Sequence, residues 1–178
     1  MQKVEKRIIK PTVEGLINEK IIYKGFIFFG LINIDGDPFV IEYNARMGDP
    51  EAESVIPRIK TDMVDLFMAV ANGTLKQQSI ELDERYTAAI FLVSGGYPQS
   101  YEKGKKISGL ENVNESMIFH AGTKLGEDNE VITNGGRVIA VSSYGKTMKE
   151  ALKQSYANAE LINFDGKYLR KDLGFDIQ

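Results

Sequence analysis

With 178 residues the chain is long enough for one large domain or two small ones. Hydrophobic residues make up 43% and charged residues 26%, proportions that belong to a folding chain and not to a disordered one. A net charge of −3, from 22 basic and 25 acidic side chains, is too mild for a nucleic-acid or membrane surface. The lack of cysteine excludes a disulfide scaffold, thiolate metal sites and cysteine catalysis, and the single histidine, His120, excludes a multi-histidine zinc site. No apolar run approaches the ~18–20 residues of a membrane span, and the charged start lacks an apolar signal core. A soluble, cytoplasmic chain is expected.

Residues 2–19 are predicted to be helical. Val4, Ile8, Ile9, Val13, Leu16 and Ile17 recur at helical spacing, with Lys3, Glu5, Lys6, Arg7 and Lys10 on the other side. Pro11 is placed to kink or divide this helix. Residues 24–33 read as a strand, and Asp35-Gly-Asp-Pro38 as a turn in which Asp-Gly is a strong hairpin signal. The return strand enters Val40-Ile-Glu-Tyr-Asn-Ala-Arg-Met-Gly-Asp-Pro-Glu51. Alternation puts Val40, Glu42, Asn44 and Arg46 on one face, and Phe39, Ile41, Tyr43 and Ala45 on the other, apolar one. Same-face neighbours lie roughly 6.5–7 Å apart along a strand. A carboxylate and an amide oxygen at that separation reach one hard cation such as Mg²⁺, which takes oxygen ligands and keeps waters and substrate phosphates. An arginine two residues on adds a bidentate donor for phosphate or carboxylate. Alternation alone favours a plain solvated face, because polar faces are common.

The strand is expected to end at Gly48. Asp49 then suits a helix N-cap, Pro50 the first helical position and Glu51 the positive end of the helix dipole. Thr61 is placed to cap the next helix, where Met63, Leu66, Phe67 and Val70 repeat until Gly73 closes it. Residues 74–85 are polar and aperiodic, and divide a first domain, 1–78, from a second, 79–178.

The second half has a different texture. Residues 87–93, 117–120, 130–133 and 137–142 read as strands, the last two joined by Asn134-Gly-Gly136 as a hairpin turn. Thr147-Met-Lys-Glu150 is a capping box that opens a helix to about residue 162, with Leu152, Tyr156 and Ala159 inward. Residues 168–174 read as an irregular tail. His120 reads as a packed or capping residue, Tyr97 and Tyr101 as core or loop anchors. Gly122-Thr-Lys124 is either a loop leaving a strand or a set of backbone donors for an anion.

The stretch Glu42-Tyr-Asn44-Ala-Arg46-Met-Gly-Asp-Pro-Glu-Ala-Glu53 resembles the signature of phosphoribosylamine–glycine ligase (glycinamide ribonucleotide synthetase), an ATP-grasp family of de novo purine synthesis. The most specific part is Arg46-Met-Gly-Asp-Pro-Glu51. Weaker matches run in order along the rest of the chain: Ile9-Lys-Pro-Thr12, Tyr23-Lys-Gly25, Gly95-Gly-Tyr-Pro98, Ser100-Tyr-Glu-Lys-Gly104, His120-Ala-Gly-Thr123, Thr133-Asn-Gly-Gly-Arg-Val138 and Tyr168-Leu-Arg-Lys-Asp172.

The resemblance implies an α+β fold: the C-terminal portion of an ATP-grasp domain, an antiparallel sheet with helices, followed by a small β-rich domain. It implies a reaction in which ATP activates the glycine carboxylate as an acyl phosphate and the amine of 5-phosphoribosylamine attacks it. Glu42 and Asn44 would ligate Mg²⁺ or Mn²⁺, Arg46 would hold phosphate oxygens, and Gly48, Asp49 and Glu51 would lie beside the substrates. Arg46 and Asp49 are the catalytic candidates, although Asp49 serves equally as a cap. Asn134, Gly135 and Arg137 are candidates for substrate binding, although Asn134-Gly-Gly136 reads first as a turn and Arg137 equally as a surface arginine.

A complete ligase of this family is well over twice as long and begins with a Rossmann-like domain and a lid, neither of which has a counterpart here. The chain is therefore expected to be the C-terminal part, inactive by itself, with the N-terminal region of the same enzyme as its missing partner. A surface left by that region is expected to favour self-association. The alternatives are a non-catalytic binding or assembly module with the ligase-like fold and, less well matched to the Gly48–Glu51 stretch, another ATP-grasp ligase.

Overall fold

In the computed structural model, which describes residues 1–175, Asp35 and Gly36 both take positive φ (51° and 81°), as a two-residue hairpin loop of the right twist requires. They join β1 (Phe28–Ile34) to β2 (Asp37–Asn44) in an antiparallel pair closed by Ile34 opposite Asp37. β1 starts later than the apolar run that suggested it. Before the hairpin, α1 (Gln2–Val4), a π-helical turn (Glu5–Ile9) and α2 (Lys10–Asn18) run on without a break. The wider turn falls just before Pro11, which has no N–H to continue the regular ladder; Lys10 N donates instead to the Glu5 carbonyl. Lys3 Nζ and Arg7 Nη1 reach the Asp37 carboxylate at 2.6 and 2.9 Å and tie this helix to the hairpin.

These elements and α4 (Met63–Asn72) belong to one unit, Met1–Ala52 with Thr61–Ile80. Asp62, and not the expected Thr61, caps α4 by accepting from Val64 N and Asp65 N; the Thr61 hydroxyl bonds the Ser79 carbonyl. Gly73 closes α4 in the left-handed conformation, as expected.

The other unit comprises Glu53–Lys60 and the residues from Glu81 on. The short segment is stitched in by backbone bonds from Lys60 N to Glu81 O and from Asp83 N to Arg58 O, and by the Thr87 hydroxyl on the Ser54 carbonyl. Its sheet is antiparallel with order β4-β7-β3-β8, formed by β3 (Tyr86–Ser94), β4 (Ser116–His120), β7 (Arg137–Gly145) and β8 (Lys167–Tyr168). Alternation along β3 buries Ala88, Ile90 and Leu92. With Val138, Ile139, Val141, Ala159 and Ile162 these form the core, beneath α5 (Met148–Leu161). Thr147 accepts from Glu150 N as its cap, while the Glu150 carboxylate takes Lys146 N.

A buried polar chain pins α5 to the sheet. Ser155 Oγ donates to Ala88 O (2.6 Å) and so accepts from Ser143 Oγ (2.8 Å), Ser143 meets Ser116 (2.6 Å), and Asn158 Nδ2 donates to Ser116 Oγ (2.7 Å) and Asn114 O (2.9 Å).

Asn134-Gly-Gly136 is not the expected hairpin turn. β6 (Val131–Thr133) pairs with β5 (Thr123–Leu125), whereas β7 pairs with β3 and β4, so the three residues connect two sheets. β5 and β8, with three and two residues, are too short to show a period in sequence. No helix among the described residues is long and apolar enough to cross a membrane.

Candidate functional site

The hairpin carries a β-bulge. Gly30 pairs with Glu42 but Leu31 pairs with Val40, so β2 holds one extra residue there. This corrects the simple alternation: Val40 and Glu42 point to opposite faces, and Phe39, opposite Ile32, shares the face of Glu42. Glu42 and Asn44 do share a face. Asn44 Nδ2 donates to Glu42 Oε1 at 3.1 Å. Gly30 lies across the sheet from Glu42, and a Cβ there would sit 2.7 Å from Glu42 Cγ and force the Glu42 side chain to turn.

Beyond the strand the chain folds back over this face. Phe28 pairs with Asn44. Gly48 is buried against Phe28, where a Cβ would lie 2.6 Å from the ring and would also strike the Glu51 carboxylate. Glu42, Asn44, Gly48 and Glu51 thus form one connected surface floored by Phe28. Residues 49–51 make a turn that includes a cis Asp49–Pro50 peptide, and the helix α3 (Ala52–Val55) starts only where Ala52 N bonds Gly48 O. Asp49 and Pro50 therefore do not cap and open that helix. Arg46 lies past the end of β2 and donates from Nη1 to the Met47 carbonyl at 2.8 Å, so strand alternation does not set its direction.

The remaining candidates lie in the other unit, where loops interlock through glycine. Ser94 N and Oγ bond the Gly136 and Gly135 carbonyls at 2.8 and 2.9 Å, and Asn134 N bonds Gly122 O at 2.7 Å. A Cβ on Gly135 would come within 2.9 Å of Gly122 Cα, and one on Gly136 would enter the Tyr97 ring. The loop bearing Asn134, Gly135 and Arg137 is thus held rigidly by backbone contact. Arg137 has its guanidinium carbon 5.6 Å from the centre of the Phe91 ring. Gly122 N and Thr123 N are spent on the Arg137 and Ala121 carbonyls, which favours the loop over the set of anion donors. His120 is exposed, its Nδ1 3.0 Å from Thr123 Oγ1.

Sequence reasoning missed Gly30 and Phe28, which shape the site only by contact across the hairpin. Tyr97 anchors a loop, as expected, with its ring against Gly136.

A sequence profile described as "Phosphoribosylglycinamide synthetase, C domain" matches residues 87–176, and one for the "ATP-grasp (A) domain" of the same synthetase matches residues 1–52. The chain belongs to the phosphoribosylglycinamide synthetase family. It is similar to the phosphoribosylamine–glycine ligases of Salmonella typhimurium (44% identity over 98% of this chain) and Chlorobaculum tepidum (40% over 98%), and covers 41% of each. The crystal structure of the Thermotoga maritima ligase superposes with a TM-score of 0.84 at 36% identity, over 96% of this chain and 42% of that one. The chain thus spans about two fifths of the length of these relatives. The α+β architecture expected from sequence, antiparallel sheets with helices, is that of the family.

Proposed function

We propose that this chain supplies the C-terminal part of an ATP-dependent ligase that joins glycine to 5-phosphoribosylamine, giving glycinamide ribonucleotide, ADP and phosphate. The observation that carries the reading is the paired Glu42 and Asn44 on one face, joined to the Gly48–Glu51 turn, in a chain 44% identical to such ligases. We assign residues 1–78 to the ATP-grasp domain and 79–178 to the C-terminal domain, in the cytoplasm.

The side chains fit a hard divalent ion. Asn44 Nδ2 donates to Glu42 Oε1 at 3.1 Å, so the two side chains are adjacent, and with the amide turned its oxygen and the carboxylate would be offered to one cation. Among the described residues no three His, Cys, Asp or Glu converge, so waters and the ATP phosphates would fill the other positions. Bound Mg²⁺ or Mn²⁺ would neutralise the phosphates. The chain's own part is positional. Glu42 and Asn44 fix the phosphate end, the tight turn at Gly48 sets Glu51 beside it, and Arg46 and Asp49 are the groups that meet developing charge. Asn134, Gly135 and Arg137, on a loop that glycine contacts hold still, contribute to holding the amine substrate.

The test is a chimaera in which this chain replaces the matching part of the Salmonella typhimurium ligase. Glycine-dependent ADP release is expected. Glu42→Ala and Asn44→Ala should each raise the metal concentration needed and lower turnover, with the unfolding midpoint unchanged. Wild-type kinetics in both variants would sink the assignment.

A further inference from the structure

The four-stranded sheet has the order β4-β7-β3-β8, so β4 pairs with β7 on one side and presents an edge on the other. It is the longest edge of its unit, with five residues against two in β8 and three in β5. Edge strands are normally blunted by charged side chains, prolines or bulges. Ser116-Met-Ile-Phe-His120 contains no Asp, Glu, Lys, Arg or Pro. Its register against β7 runs without a shift from Ser116 opposite Ser143 to His120 opposite Ile139.

The ladder decides which backbone groups meet β7. Ala121 N donates to Val138 O, one step beyond the His120–Ile139 pair. Bonding direction alternates along an antiparallel strand, so Ala121, Phe119 and Met117 turn N–H and C=O toward β7. Ser116, Ile118 and His120 turn theirs to the open side. No bond from those three N–H groups to a loop or a side chain occurs among the described residues.

We infer that β4 is a docking edge for a second copy of this chain, which adds its own β4 antiparallel about a two-fold axis at Ile118. The choice of occupant rests on self-complementarity. That axis sets Ile118 against Ile118, and Ser116 against His120, of the second copy, so all three open residues exchange bonds. A shift of the axis to Met117 or Phe119 leaves one of them unpaired. The side chains agree with the same register. Met117 falls opposite Phe119, a sulfur–aromatic pair on one face, and Ile118 meets its own copy on the other. One step further, Glu115 falls opposite Ala121, so like charges do not meet. The interface is isologous and closes at two copies. It stands apart from the ligase reading, which needs neither this edge nor a dimer.

The experiment follows the purified chain by sedimentation over a range of concentrations, and a reversible dimer is expected. Met117→Lys combined with Phe119→Lys places like charges opposite each other across the interface and should weaken the dimer about tenfold or more. Met117→Lys combined with Phe119→Glu places opposite charges there and should keep it. Both variants lose the same two apolar side chains, so the difference between them reads the register and not the fold. The wild-type chain supplies a second measurement that needs no substitution. Exchange of the Ser116, Ile118 and His120 amides should slow as concentration rises, while the Met117 and Phe119 amides, already bonded to β7, should change little. A chain that stays monomeric at every concentration overturns the inference. So does a dimer that treats the two folded variants alike, or one in which the Ile118 amide exchanges as fast as in the monomer, because the contact then lies elsewhere.

Discussion

The two sheets of this chain treat the same kind of residue in opposite ways. In the four-stranded sheet, Ile90, Leu92, Ile139 and Val141 are fully buried under α5. In the hairpin, Ile32, Ile34, Phe39 and Ile41 are all exposed, Ile41 to 67%. Hydropathy is similar in both; what differs is a covering layer. The first sheet is closed by a helix from its own unit and pinned by a serine and asparagine chain, so its stability is internal. The hairpin leaves apolar side chains exposed on both faces, Ile32, Ile34 and Phe39 beside the Glu42–Asn44 pair and Leu31 and Tyr43 on the other.

The sharpest way to break this contrast is to truncate both sheets alike. Leu92→Ala should cost about 3–4 kcal/mol in urea unfolding, from lost transfer energy and a residual cavity. Ile34→Ala should stay within about 0.5 kcal/mol, as at an ordinary surface position. Equal costs would erase the distinction.

The polar pins offer a finer test. Asn158→Ala leaves Ser116 and Asn114 short of a donor and should cost about 1–3 kcal/mol by the same unfolding measurement. No change would mean that α5 is held by apolar contact alone.

The smallest expected effect is at Asp37. The Lys3 hydrogen bond holds its carboxyl below the ordinary value of 3.8, with Arg7 adding to it. A carboxyl lowered in the fold stabilises above its ordinary value, and the contribution is lost as pH falls through the folded value. Both partners are solvent-exposed, so screening keeps it small. Asp37→Asn should lower the unfolding midpoint slightly at pH 7, and the difference should shrink below pH 3.8.

Much of this was readable in the residues. Asp35-Gly36 gave the hairpin because few dipeptides accept positive φ at both positions. Glu42 and Asn44 were legible as a same-face pair because the bulge lies on the far side of Glu42 and leaves their spacing intact. It did reverse the direction of Val40, which follows from a register set against β1 and not from β2 alone. Asn134-Gly-Gly136 misled because glycines permit a hairpin turn and a close backbone crossing alike, and only the contact of Gly135 with Gly122 decides. The cap of α4 fell one residue late because Thr61 and Asp62 both suit an N-cap. Arg46 had no legible direction once the strand ended at Asn44.

Amide hydrogen exchange on the chain alone compares the two sheets directly. Amides of β3 and β7 should exchange only on global unfolding, whereas those of β1 and β2 should open locally and orders of magnitude faster. Equal protection of both sheets in the chain alone would contradict the account.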